Sequence, residues 1–351
     1  MADDPVGWVL NVLAFQSTSC TTSGSPLYGR ILEGVADDVR AGGVSADLLL
    51  DDPREPLGSA LPLRFLGAVH RIVLGERAPR LAAFYPSVGG SDGGDPVPAF
   101  LETVRQHRDE LRRRIEDGVQ TNEVGRSAVL VGGYASVAER TSLPLRVLEL
   151  GASAGLNLRW DAYAYDTGRV VAGDPDSPVR FEGIWEGTPP DLPARIEVAS
   201  RRGCDRSPID PTSDDGRLRL MSYVWPDQAL RLQRLAAAIE IARRVPAEVV
   251  REDADRFVAQ ELGEPVEGVA TVVAHSIVAQ YLDADARDRL TDTIEAAGGR
   301  ASDRAPLAWL RMEPSTKERA ELRLTTWPRR RERPLATCGY HGSPIWWEDG
   351  G

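Results

Sequence analysis

The stretch Val147-Leu-Glu-Leu-Gly-Ala-Ser-Ala-Gly-Leu-Asn-Leu158 puts a short apolar run directly ahead of a glycine-containing turn. A buried strand that ends in such a turn and opens a helix presents backbone N–H groups at the C-terminal edge of a parallel sheet. Glu149 stands two residues before Gly151, and Gly155 permits a close backbone approach. A carboxylate at this place disfavours a pyrophosphate, because like charges would meet. It suits a ligand that carries positive charge or many sugar hydroxyls.

Three later segments end in polar residues after an apolar run: Gly203-Cys-Asp-Arg-Ser-Pro208, Val249-Val-Arg-Glu-Asp-Ala254 and Thr271-Val-Val-Ala-His-Ser276. With the first stretch they resemble, in order, class I S-adenosylmethionine-dependent methyltransferases, whose first motif is hydrophobic-[Asp/Glu]-x-Gly-x-Gly-x-Gly. Ser153 replaces the middle glycine. The resemblance covers about residues 144–351 and implies an α/β fold, a Rossmann-like doubly wound sheet of the class I methyltransferase type. It implies S-adenosylmethionine as cofactor, held by Glu149, Gly151, Ser153, Gly155 and Asn157. Asp205 would take the ribose hydroxyls, although an insertion precedes its strand; Asp253 would take the adenine amine, and the Ala254 N–H would meet the ring. The chain also resembles a bacterial family of unknown function, through Ser25-Pro-Leu-Tyr28, Gln120-Thr-Asn-Glu123 with Arg126, Trp225-Pro-Asp-Gln228 and His341-Gly342.

Methyl transfer to a heteroatom needs alignment, exclusion of water and removal of a proton from the acceptor. His275, at the end of a predicted strand, is the expected general base, since imidazole titrates near neutrality. Asp227 reads either as favourable charge at a helix start or as a contact for an acceptor amine. Gln120–Arg126 reads as a cap and turn, or as a lid whose Arg126 pairs the methionine carboxylate. Trp160, Asp161, Tyr163 and Tyr165 read as core, or as aromatic faces for a sulfonium.

Two alternatives stay open. The same scaffold and ligand allow a lyase or cyclase that consumes S-adenosylmethionine. Gly151-Ala-Ser-Ala-Gly155 also fits G-x-S-x-G, the nucleophile elbow of α/β-hydrolases, with Ser153, Asp253 and His341 in the required chain order. Against the hydrolase, the preceding residues read as helical, and Gly132-Gly133 lacks a preceding histidine and interrupts a predicted helix.

Composition narrows the partners. The chain has 351 residues, 42 % hydrophobic and 27 % charged, enough to bury a core without disulfides or metals. A formal charge of −11 gives no general attraction to nucleic acid or anionic lipid, so a small-molecule substrate is expected. Lys317 is the only lysine, which removes a Walker-type phosphate loop. Three scattered cysteines give no disulfide framework, and Cys338-x-x-His341 lacks further zinc ligands, so no metal is expected. Asp3 and Asp4 precede an apolar run too short to span a bilayer, so no membrane contact and a cytoplasmic, bacterial protein are expected. Nothing in the sequence gives an oligomeric state.

Hydrophobic spacing supplies the elements. Residues 1–118 read as a helical N-terminal cap, with stripes at Ile31, Leu32, Val35 and Val39, at Leu63, Leu66, Val69 and Val73, and along Phe100–Ile115. Glu123–Arg140 predicts a further helix. Residues 119–351 read as the Rossmann-like domain, with an inserted hairpin at about 166–193. Its strands are Val147–Leu150, Ile196–Asp205, Val249–Val250, Val269–Ala274 and Leu307–Arg311, followed by Leu322–Thr326 and Leu335–Cys338. A helix follows the glycine turn through about Trp160, and another has Pro226 in its first turn.

Overall fold

The computed structural model describes residues 4–348, a mixed α/β chain of two compact units. One holds the chain up to Thr121 together with Ser213–Ala236; the other holds Asn122–Thr212 and the chain from Ala237 onward. No helix among the described residues is long and apolar enough to cross a membrane.

The first unit is helical: α1 (Pro5–Thr22), α2 (Pro26–Arg40), α3 (Val44–Leu49), α4 (Leu61–Leu74), α5 (Pro79–Ala82), α6 (Val97–Gln106) and α7 (Arg108–Ile115). The expected stripes are its core. Ile31, Leu32, Val35, Leu66, Val69, Phe100, Val104 and Leu111 are buried together, and the Phe65 and Phe100 rings meet edge to face at 5.5 Å. Each such side chain contributes roughly 1.5–3 kcal/mol of burial. The Phe100–Ile115 stripe is broken at His107 into two helices.

The second unit opens with α8 (Ser127–Thr141) and β1 (Leu145–Leu150). Gly132 and Gly133 do not interrupt α8. They let it lie close to the sheet, for a Cβ on Gly133 would come within 2.3 Å of Leu310. After β1 the expected helix is only a six-residue 3-10 turn, Asn157–Ala162. The insertion forms a small sheet, with β2 (Ala164–Asp166) antiparallel to β3 (Val171–Gly173) and parallel to β4 (Arg180–Glu182). Then come β5 (Trp185–Glu186) and β6 (Val198–Asp205).

Two helices follow β6. The first, α9 (Asp214–Ser222), has no counterpart in the sequence reading, and α10 (Ala229–Ala242) starts after Pro226 rather than around it. Residues 213–236, which the sequence places in the α/β part, belong to the helical unit for local reasons: Tyr223 lies against Gly67, and the Trp225 ring is 6.5 Å from that of Tyr28.

The chain continues as β7 (Glu248–Arg251), α11 (Ala254–Glu261), β8 (Ala270–Ser276), α12 (Ala284–Gly298), β9 (Leu307–Pro314), β10 (Ala320–Trp327), β11 (Arg331–Cys338) and β12 (Ile345–Trp347). The large sheet has the order β5-β12-β11-β10-β9-β8-β1-β6-β7. Strands β7, β6, β1, β8 and β9 are parallel; β10, β11 and β12 extend it antiparallel. α8 packs on one face, and α11 and α12 bury Leu148, Leu150, Val273 and Trp309 on the other. Chain order reverses between β1 and β8, the place where open α/β sheets form a crevice at their strand ends.

Candidate functional site

β1 delivers Glu149 to the C-terminal edge of the sheet, and the chain then turns sharply with positive φ at Gly151 (64°), Ser153 (54°) and Gly155 (66°). A Cβ on Gly151 would stand 2.6 Å from the Val278 side chain, and one on Gly155 2.8 Å from that of Val249. Both glycines are therefore required by backbone angle and by space. The turn is tied down from two sides. Asp205, ending β6, accepts the Ser153 N–H at 2.9 Å and the Ser207 N–H at 2.8 Å. Asn122 Oδ1 accepts the N–H groups of Ala154 (3.2 Å) and Leu156 (2.9 Å).

Glu149 is buried, and its carboxyl hydrogen-bonds the side chain of Asn157. Burial pushes it up to about 8 against the pull of Arg159 and Arg126. Its Oε2 has no hydrogen-bond partner among the described residues. Asn157 also accepts from Ser127 Oγ at 2.7 Å and donates to the Glu123 carbonyl at 3.3 Å.

The Asn122–Arg126 part of the polar stretch thus crosses this edge, with Asn122–Gly125 buried. Arg126 donates to the carbonyls of Tyr340 and Ser276, both at 3.1 Å, so part of its guanidinium serves backbone. The turn at 339–342 lies against the same segment: a Cβ on Gly342 would come within 2.2 Å of the Gly125 carbonyl. His341 Nδ1 meets Glu123 Oε2 at 3.0 Å, while Glu123 Oε1 accepts the Gly125 N–H.

His275 is buried near the end of β8, with Nδ1 2.6 Å from Glu313 Oε1. Burial opposes the charged form of Glu313, but the His275 hydrogen bond and the Val278 and Ala279 N–H groups outweigh it and hold the carboxyl below its usual range. Asp253 is exposed after β7, where it stands at the N-cap of α11, and Ala254 behind it is buried. Asp227 belongs to the helical unit, where its carboxylate accepts Ser25 O–H (2.6 Å) and Leu27 N–H (3.1 Å) at the start of α2.

The structure therefore gathers Glu149, Gly151, Ser153, Gly155, Asn157, Asp205 and Arg126 around one turn. Asp253 and Ala254 follow at the end of β7. The hydrolase set is not assembled as expected, since His341 pairs with Glu123 and not with Asp253. Three participants escaped the sequence: Asn122, Glu313 and the Glu123–His341 pair. Asn122 and Glu123 stood in the polar stretch singled out; nothing local marked Glu313. Trp160 is core, stacked on Tyr134 at 4.5 Å, and Tyr163 and Tyr165 are also buried. Cys338 is buried, and its Sγ donates to the Ala320 carbonyl.

Two cavities, of about 590 and 530 Å³, lie at the opposite end of the sheet, around the starts of β1 and β6. The first is lined by Trp160, Asp161, Tyr165 and Arg201, and both share Leu192–Glu197. Arg201 is paired with Asp161 there. Of the side chains singled out from the sequence, only Trp160, Asp161 and Tyr165 line the first of them; Glu149, Asp205, Asp253 and His275 line neither.

No curated protein and no solved structure matches the chain at a significant level. One family model does match, over residues 11–347, and so embraces the glycine turn, the Asn122–Arg126 segment and His341 alike. On that match, the chain belongs to the family described as an uncharacterized protein conserved in bacteria (DUF2332).

Proposed function

We propose that this chain is an S-adenosylmethionine-dependent methyltransferase acting on a small-molecule acceptor, on a Rossmann-like sheet of the class I type. The observation that carries the reading is the run β7-β6-β1-β8 with a carboxyl group at the C-terminal end of each of its first three strands, Asp253, Asp205 and Glu149, beside a glycine turn. That order sets the three carboxyl groups along one sheet edge, which supports the reading.

The residues fit such a ligand. Asp205 accepts the Ser153 and Ser207 N–H groups, which fixes its carboxylate at the end of β6, and a fixed carboxylate suits the hydrogen bonds of ribose hydroxyls. Asp253 is exposed and can accept from an amine. Glu149 Oε2 is a buried polar atom with no partner among the described residues, and a carboxyl group pushed up to about 8 can donate as well as accept. When bound, the cofactor supplies an electrophilic methyl group on a sulfonium centre. The chain's task is to align an acceptor with it, keep water away and receive the acceptor's proton. The buried Asn122–Gly125 segment is suited to excluding water, and the −11 formal charge favours a small acceptor over nucleic acid.

Calorimetric titration with S-adenosylmethionine and S-adenosylhomocysteine tests this. Saturable binding by the wild type, weakened at least tenfold in Glu149→Ala and retained in Ser153→Ala, is expected. A folded wild type that binds neither would overturn the proposal.

A further inference from the structure

We propose that His341, oriented by Glu123, is the group that takes the proton from the acceptor at this edge, and that the acceptor is a small molecule presenting a hydroxyl, thiol or ammonium. This rests on the methyltransferase reading. In the step, the acceptor's X–H proton passes to His341 Nε2, and the X electron pair forms the bond to carbon. The carbon–sulfur bond breaks with its electrons staying on sulfur, leaving a neutral thioether.

Access, orientation and anchoring separate this imidazole from His275. The His341 side chain is 52 % exposed, whereas that of His275 is 4 % exposed, with its ring 6.0 Å from that of Trp309. The Glu123 carboxylate behind His341 is 5 % exposed and bonded by the Gly125 N–H, and it lies 3.0 Å from His341 Nδ1, which commits that ring nitrogen to Glu123. A buried carboxylate holding an exposed imidazole in one tautomer is the arrangement a general base needs.

The pair is also built into the glycine turn. Glu123 follows Asn122, which holds the Ala154 and Leu156 N–H groups, and its carbonyl accepts from Asn157, the residue bonded to Glu149. Arg126 joins the same segment to Ser276 at the end of β8 and to Tyr340, next to His341. Two sheet ends and the imidazole thus share one backbone segment.

The chain's four histidines make the test direct. The rate of carbethoxylation of each imidazole by diethylpyrocarbonate is followed on peptides by mass spectrometry, with His107 of the helical unit as internal reference. The probes are S-adenosylhomocysteine and sinefungin, the analogue that carries an amine in place of the transferred methyl. The expected result is that saturating sinefungin slows modification of His341 at least tenfold, while S-adenosylhomocysteine slows it clearly less. Nitrogen-15 spectra should show His341 as the Nδ1–H tautomer in the wild type and as a mixture in Glu123→Gln. His341→Gln should keep its affinity for S-adenosylhomocysteine, which separates this role from a structural one. Sinefungin that binds yet leaves the His341 rate unchanged would overturn the assignment alone. Failure of both nucleosides to bind would overturn the cofactor reading and this proposal with it.

Discussion

Glu149 and His275 end neighbouring strands and project from opposite faces of the sheet. Glu149 is in register with Ala274, and His275 with Leu150; alternate residues of a strand point opposite ways. The His275 ring accordingly lies 6.0 Å from that of Trp309, in the layer of Leu150 and Val273, while Glu149 bonds Asn157 on the α8 side. Both carry a buried atom without a hydrogen-bond partner among the described residues, Oε2 on one and Nε2 on the other. The sheet stands between them, so the two groups do not form one acid–base pair. Each answers to its own layer.

The protonation of Glu149 makes stability depend on pH. Its folded value is about 8 against an ordinary 4.5, so the folded chain keeps a proton that the unfolded chain loses. The stabilisation is fully present below pH 4.5. It falls as pH rises, by about 1.4 kcal/mol per unit, and is gone above pH 8. The amide introduced by Glu149→Gln has no such proton to lose. Denaturant unfolding should therefore find Glu149→Gln gaining on the wild type steadily from pH 5 to pH 8, with no further gain beyond. A difference that is constant with pH would mean that Glu149 is ionised in the fold.

Asn122→Ala removes the acceptor of two N–H groups in the glycine turn. A buried donor left unsatisfied costs about 1–3 kcal/mol. A loss of roughly 2 kcal/mol or more is expected, together with at least tenfold weaker binding of S-adenosylhomocysteine. Asn122→Asp, which keeps an acceptor oxygen, should recover most of the stability. Unchanged melting of the alanine variant would show that the segment does not hold the turn.

The parts of this edge that could be read from the chain are those in which one residue type has one backbone use. Gly151 and Gly155 announce a turn because positive φ and close packing exclude side chains there, and the apolar run before them announces a buried strand. The strand ends at Asp205 and Asp253 follow from the same alternation of apolar runs and turns. What stayed hidden was set by tertiary contact. Glu313 becomes the partner of His275 only because β8 and β9 are neighbours, and Glu123 meets His341 across more than two hundred residues. The element after Gly155 is a 3-10 turn and not an α-helix, a difference that the apolar residues Leu156, Leu158 and Trp160 do not announce. Residues 213–236 join the helical unit through Tyr223 and Asp227, neither of which carries a local mark of its partner.

Asp205 does two jobs that substitution can separate. Each carboxylate oxygen accepts one backbone N–H, from Ser153 and from Ser207. Asp205→Ala should cost about 2–3 kcal/mol by orphaning both, and Asp205→Asn about half as much. Affinity for S-adenosylhomocysteine should fall at least tenfold in the alanine variant, measured where it remains folded. Lost stability with wild-type affinity would leave Asp205 as a fastener of the turn alone.

Asp227 belongs to a different piece of chemistry. Ser25, the N-cap residue of α2, makes no side-chain cap of its own; instead its hydroxyl donates to Asp227, which also accepts the Leu27 N–H. The carboxylate thereby satisfies one of the helix's orphan donors and places negative charge at its positive end. Removing such a cap costs about 1–2 kcal/mol. Asp227→Ala should lower the unfolding midpoint by that amount while S-adenosylhomocysteine binds with wild-type affinity, and Asp227→Asn should lose less stability. Weakened nucleoside binding in a variant of unchanged stability would instead return Asp227 to the acceptor site that its sequence context allowed.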